Sequence, residues 1–422
     1  MAGKPTIQEV FVHHFDEVRR GGKLSAPQQR AGQAIVACRT DAMGGHEQRC
    51  PDGHFVRTQY HSCRHRSCPT CAEKAKGDWL DKQQQRLLPC DHFHVIFTVP
   101  HELLALWRYN RRTFTDALFG ACRDTLLQLL GQQRHLGATP GILMALHTWG
   151  RTLNQHPHIH CLVTAGGLSA QGEWRDVAGD YLLPAGVVKP VYRGKLLAKL
   201  SDAMRAGRLR APEGTSIEDL LRAAAAKKWN VRLESRYGHG KGVAKYLSRY
   251  VRGGPIANTR IVGADDGQVR FRYKDHRDGK YRVRCLEAPR FVEHLLWHVP
   301  EPGQHTVRHV GLYAHACKER RERCRSLIDP RTTGSQAHQR QSWQAYMVSI
   351  GHGATTRCPH CGRALVRGAA IAHRQRRRQN SQSRWSGLCT TSRSTGPAPS
   401  HDPPAAATRS RSDLFLVSTR VG

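Results

Sequence analysis

His156-Pro157-His158-Ile159-His160 runs into Cys161-Leu162-Val163-Thr164, and together they have the pattern of a β-strand that carries histidines. Side chains alternate along a β-strand, so His158 and His160 lie on the same face of the predicted strand. The apolar residues between and after them indicate a largely buried strand, where a histidine needs a partner. Two imidazole nitrogens on one face can hold a divalent metal, although the pattern also fits two structural histidines satisfied by hydrogen bonds.

The neighbouring sequence predicts that a hairpin presents this histidine pair. Residues 142–149 form a second apolar stretch with strand character, and residues 151–157 form a polar turn. His92 and His94 show the same spacing at the start of an earlier apolar run. We expect them at a strand entrance rather than in a metal site.

A second informative stretch reads Lys245-Tyr246-Leu247-Ser248-Arg249-Tyr250-Val251. In a helix, residues i and i+4 are neighbours, so Tyr246 and Tyr250 share one face. Such a pair also fits ordinary helix packing. Four cations recur on nearly the same face and predict a track for a nucleic-acid backbone. These cations are Lys241, Lys245, Arg249 and Arg252.

The chemistry of the two stretches is complementary. A phenol with a pKa near 10 is a poor nucleophile, so it needs a metal or a cation to polarise the phosphate. The chain carries 66 Lys and Arg against 33 Asp and Glu, for a net charge of +33 and a pI near 10.3. A polyanion is therefore the expected partner, and the combination predicts a phosphodiester-cleaving enzyme that bonds covalently to DNA. Charge alone fits a passive nucleic-acid binder equally well.

Length and composition predict a folded protein of two or three modest domains. The chain has 422 residues, of which 39% are hydrophobic. No stretch approaches the ~20 apolar residues of a membrane span, and none reads as a signal peptide. We therefore expect no membrane partner and a cytoplasmic, nucleoid-associated location.

The order of strand-like and helix-like segments predicts an α+β fold with an antiparallel sheet. Apolar β-branched runs alternate with helical stretches and are joined mostly by hairpin signals. The predicted divisions are a helical lead-in with a zinc-binding domain (1–85), a nuclease domain (90–320) with a helical insertion or cover (170–228), a C-terminal extension (321–371), and a disordered basic tail (372–422).

Cysteine spacing near the N-terminus predicts a structural zinc site. Five of the 14 cysteines fall between positions 38 and 71. Cys63, Cys68 and Cys71 form a C-x4-C-x2-C pattern, and Cys50 upstream completes four thiolates for tetrahedral Zn²⁺. His54 competes for the fourth position, with Cys38 and His46 as further alternatives.

A separate C-x2-C occurs far downstream, at Cys358 and Cys361. No second pair of cysteines lies near it in the sequence. We therefore interpret it as half of a zinc knuckle or as two unconnected thiols.

The histidine and tyrosine stretches resemble the HUH and two-tyrosine motifs of the bacterial rolling-circle insertion-sequence transposases. Further blocks in the same order are also similar to this family, and the likeness covers about residues 25–320. These blocks are residues 147–150, 260–261, 269–275 and 307–312. Related transposases carry a zinc-binding domain at the N-terminus, often with another cysteine shortly after the first. This chain has His54 near that point instead.

The resemblance implies an HUH endonuclease core and a specific reaction. His158 and His160 would hold Mg²⁺ or Mn²⁺ against the scissile phosphate of single-stranded DNA at an element end. Tyr246 and Tyr250 would attack in successive strand transfers to element ends and target DNA, giving a 5′-phosphotyrosine and a free 3′-hydroxyl that primes replication. HUH sites take a third polar ligand. The candidates are His147, Gln155 and His156.

Other classes of protein fit parts of this pattern. A plasmid replication initiator or relaxase uses the same chemistry, and an inactive zinc-containing DNA-binding protein fits the charge and the cysteines. A zinc hydrolase of the H-x-H-x-D-H type is disfavoured, because Cys161 and Leu162 follow His160 where a carboxylate is needed.

Overall fold

The fold is built around the hairpin that carries the histidine stretch. In the computed structural model, which describes residues 4–238, 242, 254–275, 277–331, 342–349, 351 and 353–373, strands β4 (Thr139–Trp149) and β5 (Gln155–Leu168) pair antiparallel. The predicted hairpin is thereby confirmed. Both strands are longer than predicted. β4 begins at Thr139 rather than at residue 142, and β5 ends at Leu168 rather than at residue 164, because the buried pattern and the pairing continue as far as Thr139 and Leu168.

The remaining elements follow in chain order. The other strands are β1 (Gly45–Arg49), β2 (Val56–Tyr60), β3 (His92–Thr98), β6 (Trp174–Asp176), β7 (Val231–Leu233), β8 (Ile261–Asp265), β9 (Gln268–Lys274), β10 (Tyr281–Glu287), β11 (Val307–Gly311) and β12 (Val366–Ile371). The helices are α1 (Ile7–Arg20), α2 (Ala26–Ala37), α3 (Ala72–Arg86), α4 (Leu104–Tyr109), α5 (Arg111–Leu130), α6 (Ala185–Arg205), α7 (Ile217–Ala225), α8 (Ala288–Leu296), α9 (Lys318–Ile328) and α10 (Trp343–Ser349).

The main sheet has the order β11-β4-β5-β3-β7, with β6 paired to the far end of β5. Every pairing between the described strands is antiparallel. Helices accompany the sheet rather than alternating with parallel strands. The predicted α+β class is therefore confirmed.

The two faces of the main sheet differ in chemistry because side chains alternate along each strand. One face presents Phe97, Ile159 and Cys161, which are fully buried in the largest apolar cluster together with residues of α5 and α6. Burying such side chains stabilises the sheet by about 1.5–3 kcal/mol each. The opposite face carries His158 and His160, which are also shielded from solvent.

A second core joins the N-terminal helices to a small sheet. Residues of α1, α2 and α8 pack with residues of β8, β9 and β10, which form a sheet of order β10-β9-β8. Leu153, from the turn between β4 and β5, is fully buried in this same core. Its φ of 65° is unusual for a leucine, so the turn is held in place by its surroundings.

A third sheet, of order β12-β1-β2, pairs the last described strand with the N-terminal β1–β2 hairpin. Gly45 pairs with Ile371, and Arg49 pairs with Val366. These elements belong to one compact unit that spans residues 1–375. The domain boundaries and the disordered tail remain predictions, and the predicted tail lies almost entirely outside the described residues.

Leucine, tryptophan and phenylalanine recur at helical spacing through residues 102–130, a pattern that predicts one long helix, but the structure divides this stretch into α4 and α5. Asn110 separates α4 from α5, with φ of −132° and ψ of 42°. Its side-chain amide donates to the carbonyl oxygens of Leu106 and Arg210, at 2.9 and 2.8 Å, and its oxygen accepts from the Arg210 N–H at 2.7 Å. A contact with a segment 100 residues away thus replaces helical continuation.

Within the described ranges, no helix is both long enough and apolar enough to span a bilayer.

Leu153→Ala tests whether the turn is anchored through the second core. We expect a loss of about 2–5 kcal/mol in unfolding free energy, because the substitution removes a fully buried side chain. Chemical denaturation of the full chain measures the loss. Val283→Ala, at a side chain that is 57% exposed in the same core's sheet, should change stability by less than about 0.5 kcal/mol. Equal effects of the two substitutions would contradict the anchoring role.

Candidate metal centre and nucleic-acid cleft

Three imidazoles meet on the solvent-shielded face of the β4–β5 hairpin. His147 on β4 lies directly opposite His158 on β5, and His160 is two residues further along β5. One ring nitrogen from each of the three lies within 4.8 Å of the others. The ring centroids of His147 and His160 are 3.9 Å apart, and those of His158 and His160 are 4.8 Å apart. The donor set therefore fits a single metal ion.

Neighbouring groups orient two of these rings. His158 Nδ1 lies 2.6 Å from the carbonyl oxygen of His156, so Nδ1 carries the proton and donates, and Nε2 is the nitrogen that could bind a metal. His160 Nδ1 lies 2.7 Å from His94 Nε2, and the two rings are stacked. His94 is thus a supporting residue that the sequence interpretation placed outside the site. The sequence feature that could have indicated this role is the H-x-H spacing of His92 and His94, which matches that of His158 and His160 on the adjacent strand.

Burial keeps the cluster neutral. Desolvation lowers the pKa of His158 to about 3 and the pKa of His94 to about 4, and it lowers the pKa values of His147 and His160 well below the ordinary range. The three imidazoles of the cluster are therefore unprotonated at neutral pH, which is the form that binds metals.

The structure separates the three candidates for the third ligand. His147 joins the cluster, whereas the nitrogens that lie within 4.8 Å of one another do not include those of His156. Gln155 is turned away, because its Oε1 accepts a hydrogen bond from Arg108. The predicted nucleophiles and backbone-binding cations lie outside the described residues; they are Tyr246, Tyr250, Lys241, Lys245, Arg249 and Arg252.

The histidines open onto a cleft of about 860 Å³ between the hairpin and the β8–β10 sheet. His147, His156 and His158 contribute to its wall, together with five cationic side chains and three aromatic ones. The cations are Arg151, Arg260, Arg272, Lys274 and Arg277; the aromatics are Trp149, Tyr273 and Tyr281. This wall combines positive charge with flat apolar rings, which suits an anionic ligand with exposed bases.

Hydrogen bonds to the backbone hold some of the cations in place. Arg151 donates from Nη1 to the carbonyl oxygen of Lys274 at 2.7 Å. Arg260 donates to the carbonyl oxygens of Arg272 and Arg151 at 2.8 and 2.9 Å. The sequence interpretation did not assign these residues to the site. For the residues of β9, the sequence feature that could have indicated this role is the alternation of buried Val269 and Phe271 with exposed cations.

One carboxylate lies among the cations of the cleft wall. The buried Asp275 side chain is 2.9 Å from Arg277 and 3.4 Å from Arg282. Hydrogen bonds from Arg277, together with the charge of Arg282, hold the pKa of Asp275 well below its usual range. The carboxylate therefore stays ionised and positions Arg277 at the cleft.

The N-terminal thiols form a cluster that differs from the predicted one. Cys38 joins Cys63, Cys68 and Cys71, with all four sulfurs within 4.8 Å of one another. The sulfurs of Cys38 and Cys71 are 3.3 Å apart, and those of Cys63 and Cys71 are 3.6 Å apart. A hydrogen bond from Cys63 lowers the pKa of Cys38 to about 7, so a thiolate is accessible near neutral pH.

Cys50 is excluded from that cluster by the β1–β2 hairpin. It follows β1 at the turn of the hairpin, whereas Cys63 follows the far end of β2. A five-residue strand spans about 17 Å, so one ion cannot contact both residues. Cys50 and His54 instead meet Cys358 and Cys361, with their ligand atoms within 4.8 Å of one another. The downstream C-x2-C therefore does have a second pair, which the pairing of β12 with β1 brings into range.

Comparison with known proteins defines the class as transposase. Residues 141–321 match the family model "Putative transposase", and residues 10–99 match "Transposase zinc-binding domain". The chain is similar to "Putative transposase y4qJ" of Sinorhizobium fredii (strain NBRC 101917 / NGR234), with 33% identity over 335 residues, covering 77% of this chain and 84% of the relative. It is also similar to "Transposase for insertion sequence element IS801" of Pseudomonas savastanoi pv. phaseolicola, with 30% identity, covering 74% of this chain and 75% of the relative.

These relationships identify the family. The chain belongs to the IS91-type rolling-circle insertion-sequence transposases, which have an N-terminal zinc-binding domain. The predicted family and the predicted zinc-binding domain are confirmed.

Solved structures with partial similarity are conjugative relaxases. One is TrwC in complex with OriT DNA in a metal-bound structure, with 13% identity, a TM-score of 0.20, and coverage of 38% of this chain and 72% of the relaxase chain. Another is the metal-free structure of the same complex, with 15% identity, a TM-score of 0.21, and coverage of 37% and 71%. TM-scores this low support no inference about the site.

Asp275→Asn tests the ion pairs of the cleft wall through their pH dependence. The pKa of Asp275 is depressed in the folded state, so the stabilisation is present above the unfolded value of about 3.9 and is lost as the pH falls through the folded value. The variant should therefore melt below the parent at pH 5 to 7, and the difference should shrink on acidification below about pH 4. Thermal unfolding across this range measures it. Asp266→Asn, at an exposed turn, is the matched control, and a pH-independent difference for Asp275→Asn would refute the assignment.

Proposed function

We propose that this transposase nicks and joins single-stranded DNA at element ends by HUH chemistry, with a 5′-phosphotyrosine intermediate. The convergence of His147, His158 and His160 at the mouth of a cationic cleft is the observation that carries the proposal. An anionic backbone fits the cleft, and a metal at the three imidazoles would face that backbone. The protein would then act in the cytoplasm, at the nucleoid, on element ends and on target DNA.

His147, His158 and His160 are the proposed ligands of the catalytic metal. When bound, the metal polarises the scissile phosphate and stabilises the charge that develops on it. Mg²⁺ prefers oxygen ligands in near-ideal octahedral geometry, so a set of three imidazoles favours Mn²⁺ of the two predicted ions. His94 supports the set from behind, because its contact with His160 Nδ1 orients the His160 ring.

Tyr246 and Tyr250 are the proposed nucleophiles, and the described end of their segment supports this role. Pro255 lines the same cleft as His147 and His158. Tyr250 is five residues before Pro255, so even a fully extended chain keeps its Cα within about 18 Å of the cleft wall. This sequence separation is compatible with attack by Tyr250 on a phosphate bound at the imidazoles. Two nucleophiles allow a second cleavage before the first covalent end is released.

The cleft wall is the proposed DNA track. Arg151, Arg260 and Arg272 would contact phosphates, as would the predicted cations Lys241, Lys245, Arg249 and Arg252. Tyr281 is 66% exposed, and the Arg272 guanidinium lies 4.9 Å from its ring centroid. An exposed ring beside a cation is a suitable stacking platform for an unpaired base, which favours a single-stranded substrate.

The first thiol cluster is the proposed zinc site of the N-terminal domain. Cys38, Cys63, Cys68 and Cys71 supply four thiolates, which leave no open coordination position. The role of this zinc is therefore structural. Cys38 and Cys68 also belong to the second core that buries Leu153, so the metal would brace the core behind the catalytic hairpin.

An inactive zinc-containing DNA-binding protein is the remaining alternative, and the replication-initiator reading is disfavoured by the family assignment. Adduct formation separates the two possibilities. Purified protein is incubated with a labelled single-stranded element end and Mn²⁺ or Mg²⁺. A protease-sensitive covalent adduct supports the proposal, whereas binding without any adduct supports the alternative.

Changing both Tyr246 and Tyr250 to Phe should abolish the adduct and reduce transposition at least 100-fold, because no phenol oxygen remains to attack. Each single variant should still carry out one of the two successive strand-transfer steps. Tyr237→Phe, at a described tyrosine outside the proposed pair, is the control and should behave as the parent. Unchanged transposition in the double Phe variant would end the claim.

His147→Ala should reduce nicking by about 10²-fold or more, because it removes one of three metal ligands. DNA binding should persist, since the cleft cations remain. His156→Ala is the matched control on the same wall and should cost less than tenfold. Nicking rates are measured against Mn²⁺ concentration, and a larger loss in the His156 variant would assign the third ligand to His156 instead.

A further inference from the structure

Two segments that are about 300 residues apart in the chain place four metal-binding side chains together. The sulfurs of Cys50 and Cys361 are 3.4 Å apart, and the Cys50 sulfur is 3.8 Å from His54 Nδ1. Cys358 completes the group, in which all ligand atoms lie within 4.8 Å of one another. Ligands of a tetrahedral zinc ion at about 2.0–2.3 Å are separated by roughly 3.4–3.8 Å. The observed spacing matches this geometry.

The backbone of the first half is a tight turn. The Cys50 N–H donates to the carbonyl oxygen of Phe55 at 2.8 Å, and the Gly53 N–H donates to the carbonyl oxygen of Cys50 at 3.0 Å. Gly53 has φ of 79°, which a glycine adopts without strain. The turn buries Cys50 and leaves His54 exposed on its outer side.

The second half repeats this shape. The Cys358 N–H donates to the carbonyl oxygen of Arg363 at 2.7 Å, and the Gly362 N–H donates to the carbonyl oxygen of Cys358 at 2.9 Å. Gly362 has φ of 73°. Cys358 is buried and Cys361 is exposed, as in the first half. Each turn thus contributes one inner and one outer ligand, which is the arrangement of paired zinc knuckles.

The apolar contacts around the four ligands are too few to join the two turns. The local cluster of buried residues consists of Cys50, Cys358 and Leu365, with Phe55 packed against it. An ion pair of 2.7 Å between Arg363 and Asp52 adds a contact at the surface, where such pairs stabilise little. Small modules with a core of this size depend on a metal or disulfides for their fold.

We propose that Cys50, His54, Cys358 and Cys361 bind a second structural Zn²⁺, which clamps the C-terminal segment 353–373 onto the N-terminal β1–β2 hairpin. A Cys3His set with four protein ligands is a closed site without an open position. The clamp is independent of the proposed nicking activity. It also places a metal at each end of β2, since Cys63 of the first thiol cluster follows the same strand.

Zinc content of the purified full chain tests the clamp. We expect about two zinc ions per chain in the parent and about one in the double variant Cys358→Ser/Cys361→Ser. The double variant Cys63→Ser/Cys68→Ser should lose the other ion, which distinguishes the two sites. Cys285→Ser/Cys317→Ser, at cysteines outside both clusters, is the matched control and should keep about two.

A conservative variant separates ligation from folding. Cys361→His replaces one zinc ligand by another and should retain the second ion, whereas Cys361→Ala should lose it. Limited proteolysis should release C-terminal fragments at least several-fold faster from Cys361→Ala than from Cys361→His, because the clamp is lost.

Thiol footprinting of the parent needs no substitution. Cys361 and Cys285 are both exposed, so both should react with a maleimide in unfolded protein. In zinc-loaded protein Cys361 should be protected at least tenfold relative to Cys285, and a chelator should remove that protection. Equal reactivity of the two thiols in loaded protein would overturn the proposal, as would a disulfide between Cys50 and Cys361 or unchanged zinc content in Cys358→Ser/Cys361→Ser.

Discussion

The antiparallel pairing of β4 with β5 fixes both the histidine cluster and the position of the turn that joins the two large cores. Directly opposite residues share a face of the sheet, so the pairing of His147 with His158 creates the histidine cluster. A slip of one residue would turn Ile159 and Cys161 toward the face of the cleft and would turn the imidazoles into the largest apolar cluster. Several apolar side chains at about 1.5–3 kcal/mol each oppose such a slip. The hydrophobic core thus sets the register, and the register assembles the three imidazoles.

The turn of the same hairpin connects the two large cores. Leu153 enters the core formed by the N-terminal helices and the β8–β10 sheet, while the strands on either side of the turn belong to the main sheet. Arg151 and Arg260 reinforce this junction through hydrogen bonds to backbone carbonyls across the cleft. One wall of the cleft therefore belongs to the main sheet and the other to the β8–β10 sheet. The cations of the cleft lie on elements whose positions are fixed by packing in these two cores.

The cysteine-rich part of the chain follows a different physical rule. Its strands β1, β2 and β12 contribute few side chains to any apolar cluster, so the backbone hydrogen bonds of the β12-β1-β2 sheet, rather than a hydrophobic core, bring the segments together. Cys38 and Cys68 still contact the second core, whereas the group around Cys50 is nearly isolated from it. The first thiol cluster is therefore connected to the β4–β5 hairpin through packing in the second core, whereas the group around Cys50 is connected to the first cluster through β2.

Local patterns in the sequence were sufficient to predict the strand character of residues 158–164, the hairpin, and the shared face of His158 and His160. These features depend on alternation and spacing over a few residues. The contacts between distant segments showed that His147, rather than Gln155 or His156, lies with His158 and His160, that His94 contacts His160, and that Cys38 replaces Cys50 among the N-terminal thiols. They also decided the break at Asn110 and the partners of Cys358. Each of these contacts joins separate segments, and which segments meet depends on the packing of whole faces, which local periodicity does not encode.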